Sequence, residues 1–339
     1  MVFTTPAVHA LRRRFPDATL TYLVEPGAAP IVTDNPHLDE VIVAPRRRGL
    51  AGLADDISLG RSLRARRFEL AIDFHGGPRA SILTWLSGAQ RRVGYAVIGR
   101  SWMYTHCVPR PRELRRRHSV ENQWDLILPF GVGPPDPQRN PVEMAVNRAA
   151  LATVTERLNR AGVVPSDRLV VIHVSAGNPF RRWPIDHFVS IVRALAADER
   201  HRIVVTSGPS EREAADRVVS SARLRLDAAQ AARVLSCGEL SIGELRALFD
   251  RAALFIGGDS GPLHVAATAS VPIVGLYGPT LPERSAPWRN PGLRIVSVDA
   301  GALPCRPCDQ RVCVPGDFRC LTSIRPERVL EAALRCLEP

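Results

Sequence analysis

The sequence predicts an α/β protein built from two Rossmann-like domains. Apolar runs with strand character alternate with segments of helical period along the whole chain, which is the pattern of parallel βαβ units. A Pro/Gly-rich stretch, residues 131–141, divides this alternation into two series and indicates a linker or a long surface loop. We therefore predict domains over residues 1–145 and 146–322, followed by a C-terminal helix over 323–339 that could pack back on the first domain.

The first series opens with a helix instead of a strand. Thr5 is placed to cap this helix, Pro6 fits its first position, and Pro16-Asp17 ends it. The elements predicted after it are strands at residues 19–24, 41–44 and 70–74, and helices at residues 57–67 and 78–86. In a doubly wound domain the opening strand normally lies in the middle of the sheet. Either this domain has one strand fewer, or the chain as written begins too late.

The second series starts after a helix predicted at residues 148–161. Its predicted strands lie at residues 169–174, 203–206, 233–235, 254–256, 273–277 and 294–298. The helices predicted between them lie at residues 185–197, 210–222, 242–251 and 263–269. A last helix, Pro326 to Leu337, closes the chain.

The stretch from Leu254 to Trp288 carries the clearest chemical pattern. It begins as a buried strand, continues as a glycine-rich turn at residues 257–262, and runs at once into a helical sequence. Such a turn directs backbone N–H groups and the helix dipole at one point, which suits an anion and above all a phosphate. A second strand, residues 273–277, ends in another turn at Gly278-Pro279-Thr280. Adjacent strand ends therefore deliver two loops to one crevice, where open α/β sheets bind ligands.

Four residues of this stretch have predicted roles in the turn. Pro262 fits the first helical turn, where its missing N–H costs nothing, and Ser260 is placed to cap the helix. Asp259 and His264 flank the anion site as an acceptor and as a donor whose charge can switch.

Two other strand-end loops carry charged residues. The loop at residues 175–184 contains Arg181 and Arg182, which can clamp a diphosphate through paired hydrogen bonds. The alternative is a surface Arg pair beside Trp183 in the core. Glu211 stands at a helix start after the next strand, where it either stabilises the helix dipole or binds ribose hydroxyls.

The charge of the chain is basic and uneven. All 45 basic residues are Arg, which removes lysine Schiff-base chemistry and a P-loop lysine from consideration. Residues 1–160 hold 23 Arg against 15 acidic residues, and residues 161–339 hold 22 against 19. A GC-rich genome and a solvated surface would explain this; an anionic membrane surface or an acidic acceptor substrate is the functional alternative. The clusters in the first half lie at residues 12–14, 46–48, 64–67 and 115–117.

Several classes of protein fit the sequence poorly. Nucleic acid is disfavoured as a partner, because aromatic residues make up 6% of the chain and are not interleaved with the Arg clusters. No apolar run approaches the length of a membrane span, and the N-terminus lacks a signal-peptide pattern. We therefore expect a cytoplasmic protein.

Taken together, these motifs resemble glycosyltransferase family 9, the ADP-heptose:lipopolysaccharide heptosyltransferases. The most specific part is Gly258-Asp259-Ser260-Gly261-Pro262-Leu263-His264. The other matching segments are His173, Arg181-Arg182-Trp183-Pro184, Gly208 to Glu211, Gly278-Pro279-Thr280, and residues 4–16, 20–24 and 35–41. The resemblance covers nearly the whole chain.

The resemblance implies a bacterial enzyme with a GT-B fold, in which two Rossmann-like domains face a cleft. It implies inverting transfer of a heptose from ADP-L-glycero-D-manno-heptose to the lipopolysaccharide inner core, with no cofactor required for catalysis. The implied partners are the ADP-sugar donor and an anionic lipopolysaccharide core acceptor. The implied location is the cytoplasm, and peripheral contact with the inner membrane is a further expectation.

The family's donor site can be carried onto this sequence. It comprises Arg181, with Arg182 beside it, at the phosphates, Glu211 at the ribose, Leu240 in the loop beside the adenine, Asp259 at the sugar, and Ser260, Gly261, Pro262 and His264 in the diphosphate-binding turn. In this scheme a helix N-terminus and Arg stabilise the departing ADP, as a divalent cation does in other transferases.

One departure from the family concerns the general base. In the family a first strand ends in Gly-Asp just ahead of a segment like Val2-Phe3-Thr4-Thr5-Pro6, and that Asp is the proposed base. Here Met1 stands where the residue after that Asp would be. We therefore expect a start assigned too late by on the order of 10–15 residues, with neighbouring strands left unpaired and poor activity and stability. Asp73, at another strand end, is a substitute base; its alternative role is a strand-end hydrogen bond.

Four of the seven cysteines, Cys305, Cys308, Cys313 and Cys320, lie within 16 residues. In a cytoplasmic protein, clustered cysteines suggest a metal more than disulfides. The spacing is not that of a common zinc finger, but four thiolates in a Pro/Gly-rich loop could enclose a structural, tetrahedral Zn²⁺. Free thiols or a redox-labile pair are the alternatives.

Three other functions stay open on the sequence. A related glycosyltransferase with another sugar or acceptor would keep the fold, since nothing here reads the sugar hydroxyls. A catalytically impaired relative would explain the missing base. A metal- or nucleic-acid-binding module would use the basic surface and the cysteines, but it gives no account of the strand–turn–helix site.

Overall fold

The computed structural model of the protein describes residues 1–45, 47–110, 117–174 and 177–338. The chain divides into two compact units, Phe3–Asp136 and Pro137–Pro339. The division falls inside the Pro/Gly-rich stretch, earlier than the boundary predicted after residue 145. Parts of the predicted Arg clusters at 46–48 and 115–117, and Ser175 and Ala176 of the strand-end loop, lie outside the described residues.

The first unit contains five short strands in two parallel sheets among its described residues. One sheet pairs β1 with β2, and the other has the order β3-β4-β5. Strands β1 and β3 therefore each pair with one strand of the described chain. The elements are α1 (Thr5–Arg14), β1 (Thr21–Val24), α2 (Ala29–Val32), β2 (Glu40–Val43), α3 (Gly49–Ala65), β3 (Leu70–Ile72), α4 (Pro78–Leu86), β4 (Arg91–Tyr95), β5 (His106–Val108) and α5 (Ser119–Trp124).

The start of α1 differs from the prediction. Thr5 is the first helical residue and is fully buried, whereas Thr4 holds the N-cap position without a side-chain cap bond. The hydroxyl of Thr4 instead lies 2.7 Å from the Tyr22 hydroxyl on β1. The Thr4 side chain thus makes a tertiary hydrogen bond and does not cap the helix. Helix α4 has the predicted bounds, and α3 begins earlier than predicted, at Gly49.

The second unit contains one parallel sheet of six strands in the order β11-β10-β9-β6-β7-β8. Numbered within the unit, this is the order 3-2-1-4-5-6 of a doubly wound dinucleotide-binding sheet, whose switch point lies between β6 and β9. The elements are α6 (Arg148–Arg160), β6 (Arg168–His173), α7 (Ile185–Ala196), β7 (His201–Thr206), α8 (Arg212–Arg223), α9 (Ala228–Ala232), β8 (Val234–Ser236), α10 (Ile242–Arg251), β9 (Ala252–Gly258), α11 (Gly261–Ala266), β10 (Ile273–Tyr277), α12 (Pro282–Ser285), β11 (Ile295–Asp299), α13 (Arg319–Thr322) and α14 (Pro326–Leu337).

The strands of this sheet are continuous apolar runs because helices cover both faces. Every residue of β10 is buried, and α10 starts at a capping box formed by Ser241 and Glu244. Helix α14 has the predicted bounds. It packs on α7 and on β9, β10 and β11, and Val329 and Ala332 lie in the core of the second unit. No helix of the described chain is long and apolar enough to cross a membrane.

Candidate functional site

The carboxyl ends of β6, β9 and β10 bring the predicted donor-site loops together in the second unit. Strand β6 pairs with β9 and β9 pairs with β10, all in parallel, so the loops after the three strands leave the same edge of the sheet. The edge includes the switch point between β6 and β9, which is the ligand-binding place in this fold. Arg181 comes from the first loop, Asp259 from the second and Thr280 from the third.

Asp259 is an ionised carboxylate buried at the end of β9, with only 2% of its surface exposed. Its Oδ2 accepts a hydrogen bond from the Thr280 hydroxyl at 2.6 Å and lies 3.3 Å from Arg181 Nη1. Its Oδ1 lies 3.5 Å from His264 Nε2. Burial alone would raise the pKa of Asp259, but His264, Arg181 and Thr280 together outweigh burial and lower it. The carboxylate is therefore charged at neutral pH.

Arg181 links the first and second loops. Its Nη1 donates to the Asp259 backbone carbonyl at 2.9 Å, and its Nε donates to Gln310 Oε1 at 2.7 Å. The second terminal nitrogen, Nη2, has no partner among the described residues, and 29% of the side chain is exposed. A glycine makes this approach possible: a Cβ on Gly258 would lie 3.2 Å from the Arg181 carbonyl oxygen. Arg181 is thus held in place with one donor group left for a ligand.

The turn into α11 offers further polar groups. Ser260 holds the N-cap position as predicted, but its side chain makes no cap hydrogen bond. Its Oγ is buried and has no partner in the part of the chain that the structure describes, so the hydroxyl can donate to a ligand. Pro262 occupies the first turn as predicted, and a Cβ on Gly261 would meet nothing within 4 Å. The space over the turn is open to a bound group.

Glu211 and Arg182 form a second charged pair next to the turn after β7. Arg182 Nη2 lies 2.9 Å from Glu211 Oε1, and Glu211 is 7% exposed whereas the Arg182 side chain is 44% exposed. Glu211 ends the short 3₁₀ turn ahead of α8 and so faces the first turn of that helix. Both predicted roles of Glu211, the helix dipole and a ribose, remain compatible with this position.

A depression lies beside this pair, at the ends of β7 and β8. Its lining includes Gly208, Pro209, Ser236 and Gly238. Leu240 is half-buried in the segment that leaves β8. Since β6, β7 and β8 are neighbours in the sheet, the depression continues the row of strand ends that starts at Asp259.

Comparison with known proteins identifies the family. Residues 57–315 match the profile of glycosyltransferase family 9 (heptosyltransferase). The chain belongs to this family. It is 28% identical over 320 residues to lipopolysaccharide heptosyltransferase 3 of Escherichia coli, covering 92% of this chain and 89% of the relative. It is 23% identical over 337 residues to lipopolysaccharide heptosyltransferase 2 of E. coli K12, covering 98% and 93%.

Solved structures agree with the fold of this family 9 glycosyltransferase. A family 9 glycosyltransferase from Veillonella parvula superposes with a TM-score of 0.83 at 22% identity, covering 99% of this chain and 93% of that one. E. coli ADP-heptose lps heptosyltransferase II superposes with a TM-score of 0.76 at 20% identity, covering 99% and 95%. The predicted α/β fold class and the assignment as a glycosyltransferase are therefore confirmed.

Asp73 of the glycosyltransferase is built into its own loop. Its Oδ1 accepts from the backbone N–H groups of His75 and Gly76 at 2.9 and 2.8 Å, and its Oδ2 accepts from the Tyr104 hydroxyl at 2.6 Å. Asp73 is 4% exposed. This arrangement favours the strand-end role over that of a substitute base, because both carboxylate oxygens already accept hydrogen bonds from the protein and little of the side chain is exposed to a substrate.

One residue that sequence reasoning missed contacts the predicted set. Gln310, in the loop between β11 and α13, accepts hydrogen bonds from Arg181 Nε and from Asn178 Nδ2 at 2.9 Å. No local sequence pattern identifies Gln310 as a site residue, although it lies inside the cysteine-rich segment. His173, quoted only for the resemblance, is buried at the end of β6 beside Thr206 at 3.0 Å, and burial lowers its pKa to about 4, so it is neutral.

The four clustered cysteines lie in that same segment. Each is half-buried, and no disulfide is formed among the described residues. Burial, and then the nearby thiols of Cys308, Cys305 and Cys313, raise the pKa of Cys320 to about 11. The segment thus gathers four thiols in one region, although no three of the described sulfur atoms lie within 4.8 Å of one another.

Proposed function

We propose that this family 9 enzyme transfers a heptose from ADP-L-glycero-D-manno-heptose to the inner core of lipopolysaccharide. The observation that carries the proposal is the group of polar residues at the switch point: Arg181 is bonded to the Asp259 carbonyl, Ser260 Oγ has no partner among the described residues, and a Cβ on Gly261 would meet nothing within 4 Å. Two solved relatives support the donor: an E. coli ADP-heptose lps heptosyltransferase II and an E. coli heptosyltransferase with ADP.

The proposed donor pose follows the sheet edge. The diphosphate lies over the start of α11 and receives hydrogen bonds from Arg181 and Ser260, and the ribose and adenine extend towards Glu211 and Leu240. The sugar then lies near Asp259. Charge-assisted bonds of this kind are about twice as strong as neutral ones, which makes Arg181 the largest single contributor to phosphate binding.

The proposed reaction is an inverting displacement at the anomeric carbon. The acceptor hydroxyl oxygen bonds to that carbon, the bond from the carbon to the diphosphate oxygen breaks, and ADP leaves with the electron pair. Negative charge that develops on ADP is stabilised by Arg181 and by the N–H groups at the α11 start, so the scheme needs no metal. The hydroxyl proton passes to a base on the acceptor side. Asp73 is a poor candidate for that base, because its carboxylate already accepts three hydrogen bonds.

Calorimetry with Arg181→Ala tests the donor site. Loss of a charged donor to phosphate costs about 1.5–3 kcal/mol, so we expect ADP to bind roughly 10- to 100-fold more weakly. Arg200→Ala is the matched control, since Arg200 is an exposed Arg of the same unit paired with Asp198. Equal ADP affinity in the wild type and Arg181→Ala would refute the site. A clear preference of the wild type for another nucleotide sugar over ADP-heptose would refute the donor.

We also propose that the first unit contacts an anionic membrane surface where the acceptor lipid resides. Trp102 and Trp85 are 62% and 43% exposed and meet edge to face at 5.5 Å, and Leu50 on α3 is 86% exposed. Exposed aromatic and apolar side chains among arginines suit the interface of an anionic bilayer. Co-sedimentation should show binding to vesicles with phosphatidylglycerol and not to pure phosphatidylcholine, with less binding by Trp102→Ser. Equal binding to both vesicles would contradict this.

A further inference from the structure

The segment between β11 and α13 has no regular structure of its own. Residues 300–318 form neither helix nor strand in the structure. Structureless segments of this length inside a compact domain are uncommon and are usually fixed by function, by cross-links or by a metal. This segment, with the first residues of α13, carries the four cysteines in the spacing Cys-x2-Cys-x4-Cys-x6-Cys.

Both ends of the segment are fastened to the third loop of the candidate donor site. Arg306 donates from Nε and Nη2 to the Thr280 carbonyl at 3.2 and 2.7 Å, and the Cys308 N–H donates to the Pro279 carbonyl at 3.3 Å. At the other end, Leu321 packs so closely on Gly278 that a Cβ there would lie 2.5 Å from Leu321 Cγ. The cysteine segment is therefore a cover on the loop after β10.

The middle of the segment reaches Arg181. Gln310 has a φ of +60° and Phe318 a φ of +51°, which is the left-handed region that favours glycine. Each such residue costs about 1 kcal/mol or more and persists only where its surroundings hold it. Gln310 is held by Arg181 and Asn178, and the Phe318 ring meets the Phe180 ring at 5.4 Å. Because the left-handed backbone at Gln310 and Phe318 is unfavourable, a further constraint on the segment would stabilise these contacts.

The cysteines and the charges around them fit a metal. Cys305, Cys308 and Cys313 each lie close enough to Cys320 to interact with it. Cys305 and Cys313 also lie close enough to Arg319 to interact with its charge. Arg306 lies similarly close to Cys320. A divalent ion with four thiolates carries a net charge of about −2, which two neighbouring guanidinium groups would offset. Tetrahedral sulfur ligation selects zinc or iron over the hard cations.

We propose that Cys305, Cys308, Cys313 and Cys320 bind one Zn²⁺ as a tetrathiolate site, and that this site holds Gln310 against Arg181. Four thiols each release a proton to solvent as the ion binds. Zinc–sulfur bonds of about 2.3 Å require sulfur atoms about 3.8 Å apart. Because no three of these sulfur atoms lie within 4.8 Å of one another, the segment must contract on binding. The proposed metal site depends only on the four cysteines. Its proposed effect on donor binding rests on the function proposed above for Arg181.

Metal analysis tests the site itself. The full chain, purified without chelator and reconstituted with Zn²⁺ under reducing conditions, should hold one zinc per chain, and Co²⁺ should give the thiolate-to-metal absorption of a tetrahedral site. Cys308→Ser should lose the metal, whereas Cys107→Ser, a change at an exposed cysteine of the other unit, should keep it. A wild-type chain that binds no zinc, or one that binds iron in its place or forms disulfides among these four cysteines, overturns the proposal. Because these results come from the wild type, a misfolded variant does not obscure them.

A second measurement tests the link to Arg181. Gln310→Ala should keep its zinc and bind ADP about 3- to 10-fold more weakly, since it removes one charge-assisted acceptor from Arg181. Removal of zinc by a chelator should weaken ADP binding of the wild type by a similar factor. If zinc removal leaves ADP affinity unchanged, the link is wrong. If the zinc-loaded wild type fails to bind ADP at all, the donor proposal fails while the metal site stands.

Discussion

Asp259→Asn is the change that tests the electrostatics of the site most directly. Asn keeps the shape of the side chain and an acceptor for the Thr280 hydroxyl, but it removes the charge that faces Arg181 and His264. Interactions with a charged group contribute about 1.5–3 kcal/mol, and Arg181 retains part of its hydration because 29% of it is exposed. We therefore expect a loss near the lower limit, about 1.5–2 kcal/mol. For a unit of this size that lowers Tm by about 3–8 °C.

The pH dependence of this loss distinguishes a charge effect from a packing effect. The folded-state pKa of Asp259 is lowered, so the unfolded chain takes up the proton first as the pH falls. The stabilisation is thus fully present above the unfolded pKa of about 3.9 and is lost as the pH falls through the folded value. Thermal unfolding of wild type and Asp259→Asn from pH 8 to pH 3 should show a constant Tm difference that shrinks below about pH 4. Equal stability at pH 7, or a difference that grows in acid, would refute the reasoning.

Two further changes probe the neighbouring strand ends. Gly258→Ala places a Cβ 3.2 Å from the Arg181 carbonyl oxygen, so we expect a lower Tm and several-fold weaker ADP binding, whereas the open Gly261→Ala should not lower Tm. Equal Tm for both variants would contradict this. His173 has a folded pKa of about 4, below its unfolded value of about 6.5, so it costs stability as the pH falls between these values. His173→Gln should flatten that part of a Tm-versus-pH curve, and an unchanged slope would be the contrary result.

Much of the second unit is predictable from its sequence because its signals are local. The bounds of β10, α10 and α14 follow from apolar runs and capping residues, and the structure has them as predicted. The meeting of Arg181 and Asp259 also follows, since parallel strands deliver their loops to one edge. The elements on which α14 packs cannot be predicted in this way, because an amphipathic pattern shows that a helix has an apolar face without showing what covers that face.

The remaining differences have physical causes of the same kind. Strand β4 escaped prediction because Arg91 and Arg92 begin it, and only Val93 to Tyr95 are buried. Gln310 escaped because its contact with Arg181 depends on a left-handed backbone that the residue type disfavours. Ser260 was expected to cap α11, and its position is right, but the hydroxyl makes no cap bond. A polar side chain left without its local partner is a sign that a ligand supplies one.

The charges at the switch point bear on how tightly the enzyme can hold its donor. Burial leaves His173 neutral, while Asp259 stays ionised because Arg181, His264 and Thr280 outweigh burial. The Asp259 carboxylate, 3.3 Å from Arg181 Nη1, therefore partly neutralises the positive charge that would bind a diphosphate. Removing that carboxylate should raise ADP affinity while slowing transfer, since in the proposed pose the Asp259 carboxylate lies near the sugar. Affinity and turnover moving in opposite directions in Asp259→Asn would separate a residue that serves the reaction from one that only binds the nucleotide.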